Sequence, residues 1–317
     1  MIKSSFLKGL LNNDAKNIAE YLATWDDLNV FFKTISKSWD FISQLWKSDR
    51  EINHENKKQF KRNVHIYLGY RQDQLCANLY NKFCEIFEVG EEEEKISSQK
   101  ELDDYCIELE NEAVSFQKEF SKDEDDIKTF RGNNFVDLRK YYLEMMVDQF
   151  KKMDEDKQGK ILEEMVQKLN SLSPEDLKNF KDKMSINNIT NESVKKILLG
   201  GGVYSMFAGA VGIVGFPAYI FLTSFIGGIS SIIGITLPFG VYTGATSVMA
   251  FLSAWFWPII IAGGWLFSRP YTAKLRKIFA VASMVSISFQ SYNDVDVETV
   301  NDFIRVYNTN YSDEIDF

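Results

Sequence analysis

From Trp25 to Trp46 the apolar residues Leu28, Phe32, Ile35, Trp39, Ile42 and Trp46 follow one another in alternating steps of three and four. That repeat lines up one face of an α-helix, and a buried core face is its plain meaning, with a partner-docking surface as the other reading. A second helical pattern runs over 57–89, with Val64, Tyr67, Leu68, Leu75, Leu79, Phe83 and Phe87 facing inward. The run Gly90-Glu91-Glu92-Glu93-Glu94-Lys95 reads as a solvated loop, because adjacent like charges resist packing. Ser98 and Glu101 have capping-box spacing, which predicts a helix continuing through Leu102, Tyr105, Cys106 and Leu109. Gly132-Asn133-Asn134 breaks the pattern.

Residues 138–172 are again helical by periodicity. Leu143, Met146, Val147, Phe150 and Met153 precede Gly159, and Leu162, Met165, Val166 and Leu169 follow it, so Gly159 is the expected turn between two helices. Ser173-Pro174-Glu175-Asp176 joins an N-cap residue, a proline at the first helical position and two carboxylates facing unsatisfied amides, and so predicts a short helix to about Met184. No stretch alternates with period two. The first 196 residues therefore read as a soluble, acidic, all-helical domain.

The pattern then changes. Between Lys196 and Arg269 lie 72 residues without one Asp, Glu, Lys, Arg or His, in a chain that is 26% charged. One membrane-spanning helix needs about 20 apolar residues, so residues 197–268 have room for two or three passes. Lys195 and Lys196 precede the block, and Arg269, Lys274, Arg276 and Lys277 follow it. Cations at both ends place both ends on the cytoplasmic side and make the number of passes even. The expected fold is all-α: an N-terminal soluble helical domain followed by a glycine-rich hydrophobic membrane hairpin. Its spans are Val203–Ile226 and Ala245–Phe267, joined through Leu237-Pro238-Phe239-Gly240. Residues 269–317 would form a basic juxtamembrane segment and an acidic tail.

The block holds 13 of the 18 glycines, and small residues recur every fourth position at Gly201, Ser205 and Gly209 and at Gly240 and Gly244. Such spacing lets helix backbones approach closely in lipid, either between the two spans or between copies in a homo-oligomer. An alternative to a constitutive hairpin is one buried inside a water-soluble bundle and released toward the membrane on a trigger.

Composition narrows the partners. A net charge of -9 and a pI near 5.0 argue against nucleic acid, which needs a basic surface. Cys76, Cys84 and Cys106 form no C-x-x-C pair and are odd in number, which suits a reducing compartment. The N-terminal apolar run is too short for a secretory signal. The bilayer is the expected partner, with an unknown protein on the helical domain, and the expected place is the inner (cytoplasmic) membrane with both soluble parts in the cytoplasm.

Two stretches carry a family resemblance. Gln149-Phe150-Lys151-Lys152-Met153-Asp154-Glu155-Asp156, and Leu237-Pro238-Phe239-Gly240-Val241-Tyr242-Thr243-Gly244 with its sequel to Lys274, resemble the YaaW-like bacterial family, often labelled ubiquinol-cytochrome c chaperone. The resemblance covers a quarter of the chain at most. That family has no established activity, so the resemblance implies no site residues.

Catalytic chemistry is not visible. His54 and His65 are eleven residues apart, about 16 Å along one helix, too far to share a metal. Cys76 and Cys84 read as small core hydrophobes. Gly200-Gly201-Gly202 lacks the Lys-Ser or Lys-Thr of a phosphate loop. Asp154, Glu155 and Asp156 point around a helix and read as a solvated turn. The expectation is a protein without cofactor or metal, and not an enzyme: a membrane effector that permeabilises or perturbs the bilayer, or else a passive membrane-anchored scaffold.

Overall fold

The structure, a computed structural model, describes residues 2–35, 60–90, 95–123, 128–200, 269–291 and 293–310, together with Pro217, Ile220, Phe221, Ser224 and Phe225. For 27–35, 123, 269–272, 275 and 310 only the backbone is described. Among these residues the chain is all-α, with no strand. The helices are α1 (Ser5–Leu11), α2 (Ala15–Ile35), α3 (Gln72–Phe87), α4 (Gln99–Asp123), α5 (Phe135–Lys152), α6 (Glu155–Asn170), α7 (Pro174–Met184), α8 (Asn191–Leu199), α9 (Arg269–Ser288) and α10 (Val297–Asn310). A further helical stretch covers 60–67.

α9 is the centre. Every residue from Ile278 to Gln290 is buried, the condition of a helix that is apolar all round and covered on every side. It packs against α1, α3, α4 and α5, while α10 closes over α3 and α4. α1 crosses α9 so closely that a Cβ on Gly9 would stand 2.1 Å from the Ile287 carbonyl oxygen. Only a residue without a side chain permits that approach. Aromatic rings fill the space around it: Phe6 lies edge-on to Phe83 at 5.2 Å, and Trp25 edge-on to Phe279 at 4.6 Å. Residues 269–310, read from sequence as a juxtamembrane segment and tail, thus contribute two helices to the core of the N-terminal domain.

Local signals place most helix ends. Ser173 accepts from the Asp176 amide, with Pro174 opening α7. Asn134 accepts from the Asp137 amide and opens α5 directly after the Gly132 break. At α4 the expected box is shifted by one residue: Ser98 Oγ accepts from the Glu101 amide, but the Glu101 carboxylate takes the amide and hydroxyl of Ser97.

Two expectations are corrected. The turn between α5 and α6 lies at Met153–Asp154, not at Gly159, which sits inside α6; Asp154 accepts from the Lys157 amide, and Glu155 and Asp156 fill the first turn. A competent N-cap ends the repeat more firmly than a tolerated interior glycine. The single helix expected over 57–89 is broken at 68–70, where Leu68, Gly69 and Tyr70 close a turn by donating to the carbonyls of Val64, Ile66 and Tyr67. Leu68, expected inward, is exposed there.

No helix among the described residues is long and apolar enough to cross a membrane. Apart from five residues of the first, the expected spans Val203–Ile226 and Ala245–Phe267 lie outside the described residues, as do Gly201, Ser205, Gly209, Gly240 and Gly244 and the side chains of Leu28 to Trp46.

Candidate functional site: a seated face of the apolar block

Pro217, Ile220, Phe221, Ser224 and Phe225 are helical and separated by steps of three, one, three and one, so they share one helix face. Pro217, Phe221, Ser224 and Phe225 are buried, and Ile220 is half-buried. Phe225 meets Phe150 of α5 with ring centroids 5.7 Å apart, and Phe221 meets Phe180 of α7, also at 5.7 Å. The Ser224 hydroxyl is satisfied locally, donating to the Ile220 carbonyl at 2.6 Å. A polar group on this face therefore adds no unmet demand to an apolar contact. Burying two phenyl rings favours this seat by about 3–6 kcal/mol before ordering costs.

The seat is built by the helices that lead to the block. Phe150 lies in the last turn of α5, and Phe180 is the one fully buried side chain of α7. α8 runs directly into the block and packs on α6, burying Val194, Ile197 and Leu198. α6 buries Ile161, Leu162, Met165 and Leu169.

The cations flanking the block have different surroundings. Lys196 is exposed, while Lys195, Lys274, Arg276 and Lys277 are half-buried. Lys274 lies over the Phe120 ring, 5.1 Å from its centroid. The Arg269 side chain is outside the described residues.

A buried polar ladder occupies α4. Asp103, Glu110 and Gln117 recur every seven residues along one line of the helix. Asp103 accepts from the amides of Lys3 and Ser4, the latter at 2.8 Å. Glu110 Oε1 accepts from the Ser4 hydroxyl at 3.0 Å, the Ser5 hydroxyl at 3.1 Å and the Phe6 amide at 2.8 Å. Gln117 accepts from the Tyr142 hydroxyl at 3.0 Å. The carboxylates thus receive the orphan donors at the start of α1, satisfying groups that burial would otherwise leave unpaired.

Arg139 of α5 is 3% exposed and lies over the Phe289 ring at 5.2 Å; its Nε and one terminal nitrogen meet no hydrogen-bond partner among the described residues. Burial lowers its guanidinium to about 10, against the pull of Glu110, so it stays charged at neutral pH. Burial raises the Glu110 carboxyl above its ordinary value, against three hydrogen bonds and the Arg139 charge. Sequence reasoning missed this ladder. Its signal is the recurring pair of an apolar residue followed by a polar one, Leu102-Asp103, Leu109-Glu110 and Phe116-Gln117.

The other candidates stand apart from it. His65 is exposed, and His54 is outside the described residues. Cys76 and Cys106 are buried and Cys84 half-buried; all three are free, and burial pushes the Cys84 thiol up to about 12. No group of three or more His, Cys, Asp or Glu among the described residues could hold a metal ion. An open cleft of about 620 Å³ lies between residues 128–132 and α5; Lys128 pairs with Glu144 across it at 2.7 Å. Compared with family models, curated proteins and solved structures, the chain matches none.

Proposed function

We propose that the chain is a non-enzymatic effector of the inner membrane. Its helical domain holds the apolar block by one face and releases it as a hairpin that perturbs the bilayer. The observation that carries this reading is the contact of Phe221 and Phe225 with Phe180 and Phe150. A segment with the hydropathy of a membrane span has an aromatic seat on the soluble domain, which favours a sheltered hairpin over a constitutive one. Release exchanges burial against protein for burial in lipid tails, so the two environments are close in free energy and a modest trigger can shift the balance. Once in lipid, the small residues Gly201, Ser205, Gly209, Gly240 and Gly244 would support close helix packing, within one chain or between copies.

The experiment is dye leakage from liposomes on adding the purified full chain, alongside growth arrest on expression. Phe150→Ala and Phe180→Ala weaken the seat without touching the inserting segment, so both are expected to speed leakage severalfold. A chain that stays on membranes and causes no leakage, with or without these substitutions, is a passive anchor and ends the effector reading.

A further inference from the structure

The turn between the helical stretch 60–67 and α3 presents three large hydrophobic side chains within five residues: Ile66 is 53% exposed, Leu68 44% and Tyr70 38%. Elsewhere among the described residues exposed large hydrophobics stand singly, at Val136, Leu199 and Val297. Scattered apolar residues are ordinary on a protein surface, whereas a cluster at a tip marks a contact.

The turn is also tied to its neighbours. The Tyr67 hydroxyl donates to Asp26 on α2 at 2.5 Å, Lys82 of α3 pairs with the same carboxylate at 3.7 Å, and three backbone hydrogen bonds close residues 68–70. The apolar side chains are therefore held outward by an ordered backbone.

Its charge is opposite to that of the molecule. Residues 60–72 contain Lys61, Arg62 and Arg71 and no carboxylate, in a chain of net charge -9. Arg71 is bound to Asp73 at 2.8 Å, but Lys61 and Arg62 are exposed, and no ion pair links either to a carboxylate among the described residues. An acidic protein is repelled by an anionic bilayer unless a cationic patch leads the approach. Here such a patch coincides with aliphatic and tyrosyl side chains, the combination that settles at the boundary of headgroups and acyl chains.

We propose that the 60–71 turn is a docking surface for an anionic lipid bilayer, with Lys61 and Arg62 contacting headgroups and Ile66, Leu68 and Tyr70 entering the interface. The inference rests on the membrane reading above and names the surface by which the still-folded domain would first meet the bilayer. Docking needs no release of the seated face, so the two steps have separate readouts.

The test is co-sedimentation of the full chain with neutral phosphatidylcholine vesicles and with vesicles one-third phosphatidylglycerol, with dye leakage followed in parallel. Binding is expected for the anionic vesicles only and should weaken with added salt. Replacing Lys61 and Arg62 together by Gln is expected to weaken it by about twenty-five-fold, at roughly fivefold for each cation near the surface. Ile66→Ser with Leu68→Ser is expected to cost about tenfold, while Val136→Ser with Val297→Ser changes nothing. All six positions lack a buried side chain, so these variants fold as the parent does. Binding without leakage supports the docking surface and counts against the release mechanism alone. Variants that bind like the parent overturn the docking surface, even where leakage persists. So does a parent that ignores anionic vesicles yet is retained on heparin regardless of Ile66 and Leu68, which would make the patch a plain polyanion site.

Discussion

Two uncharged stretches of this chain have comparable apolar character and different structural surroundings. Ile278 to Asn293 is 16 residues without a charge, and its part from Ile278 to Ser288 is the buried half of the spine α9, enclosed by α1, α3, α4 and α5. In the longer stretch, 197–268, Pro217, Ile220, Phe221, Ser224 and Phe225 form one face, with Phe225 resting on Phe150 and Phe221 on Phe180. Hydropathy reports only that a segment avoids water. What the two differ in is how many neighbouring elements are known to enclose them: four helices for the first, two aromatic contacts for the described face of the second.

The contrast fails first if α9 is not the spine. Phe279→Ala removes a ring stacked edge-on against Trp25 and is expected to cost about 3–5 kcal/mol of global stability in chemical denaturation, among the largest effects of any single truncation here. Gly9→Ala follows, at about 1–3 kcal/mol, since α1 must lift away from the Ile287 carbonyl. A neutral Gly9→Ala would show that α1 is not clamped to the spine.

Phe180→Ala sharpens the other side. If the seat opens independently of the core, global stability falls by less than about 1 kcal/mol while amide exchange in α7 and α8 accelerates at least tenfold. A loss as large as that of Phe279→Ala would place the seated face in the same cooperative unit as the spine.

The smallest expected effect is a pH slope. Glu110 holds its proton more firmly in the folded chain than in the unfolded one, because burial outweighs its hydrogen bonds. The folded state therefore binds more protons at this site, and its contribution to stability is greatest below the ordinary carboxylate value of 4.5 and is lost as pH rises through the raised folded value. Glu110→Gln keeps an acceptor for Ser4, Ser5 and Phe6 but cannot ionise, so its stability relative to the parent should improve from pH 4.5 to pH 7. A difference constant across that range would mean that the carboxylate is not penalised by burial.

Much of this architecture was legible in the sequence, for local reasons. Ser173-Pro174 carries its cap chemistry in its own side chains, Gly132-Asn133-Asn134 marks a break, and Leu75, Leu79, Phe83 and Phe87 keep a helical repeat whose inward face is buried. What was not legible depends on distant partners. From Ile278 on, α9 bears no one-sided stripe because that part has no solvent side, so periodicity was silent and its basic start suggested a juxtamembrane segment. The ladder of Asp103, Glu110 and Gln117 looks like an ordinary polar flank until α1 and α5 are laid against it. The break at Leu68–Tyr70 hides because residues on both sides of it keep the same helical repeat. The Phe221 and Phe225 face was legible as helix and as apolar, but nothing local says whether rings of protein or lipid tails cover it.

The clasp between the two ends of the fold sets an order of events during synthesis. Lys8 reaches Asp294 and Asn12 reaches the Asn293 carbonyl, so α1 cannot find its place until the ribosome has delivered residues some 280 positions later. The apolar block emerges ahead of α9, and at about 5–20 residues per second the chain spends about 1–4 seconds with that block made and its 20-residue spine still incomplete. During that interval the nascent protein carries its most water-averse segment without a finished core beside it. The length of that exposure is thus set by translation: slower decoding after residue 268 lengthens it and faster decoding shortens it.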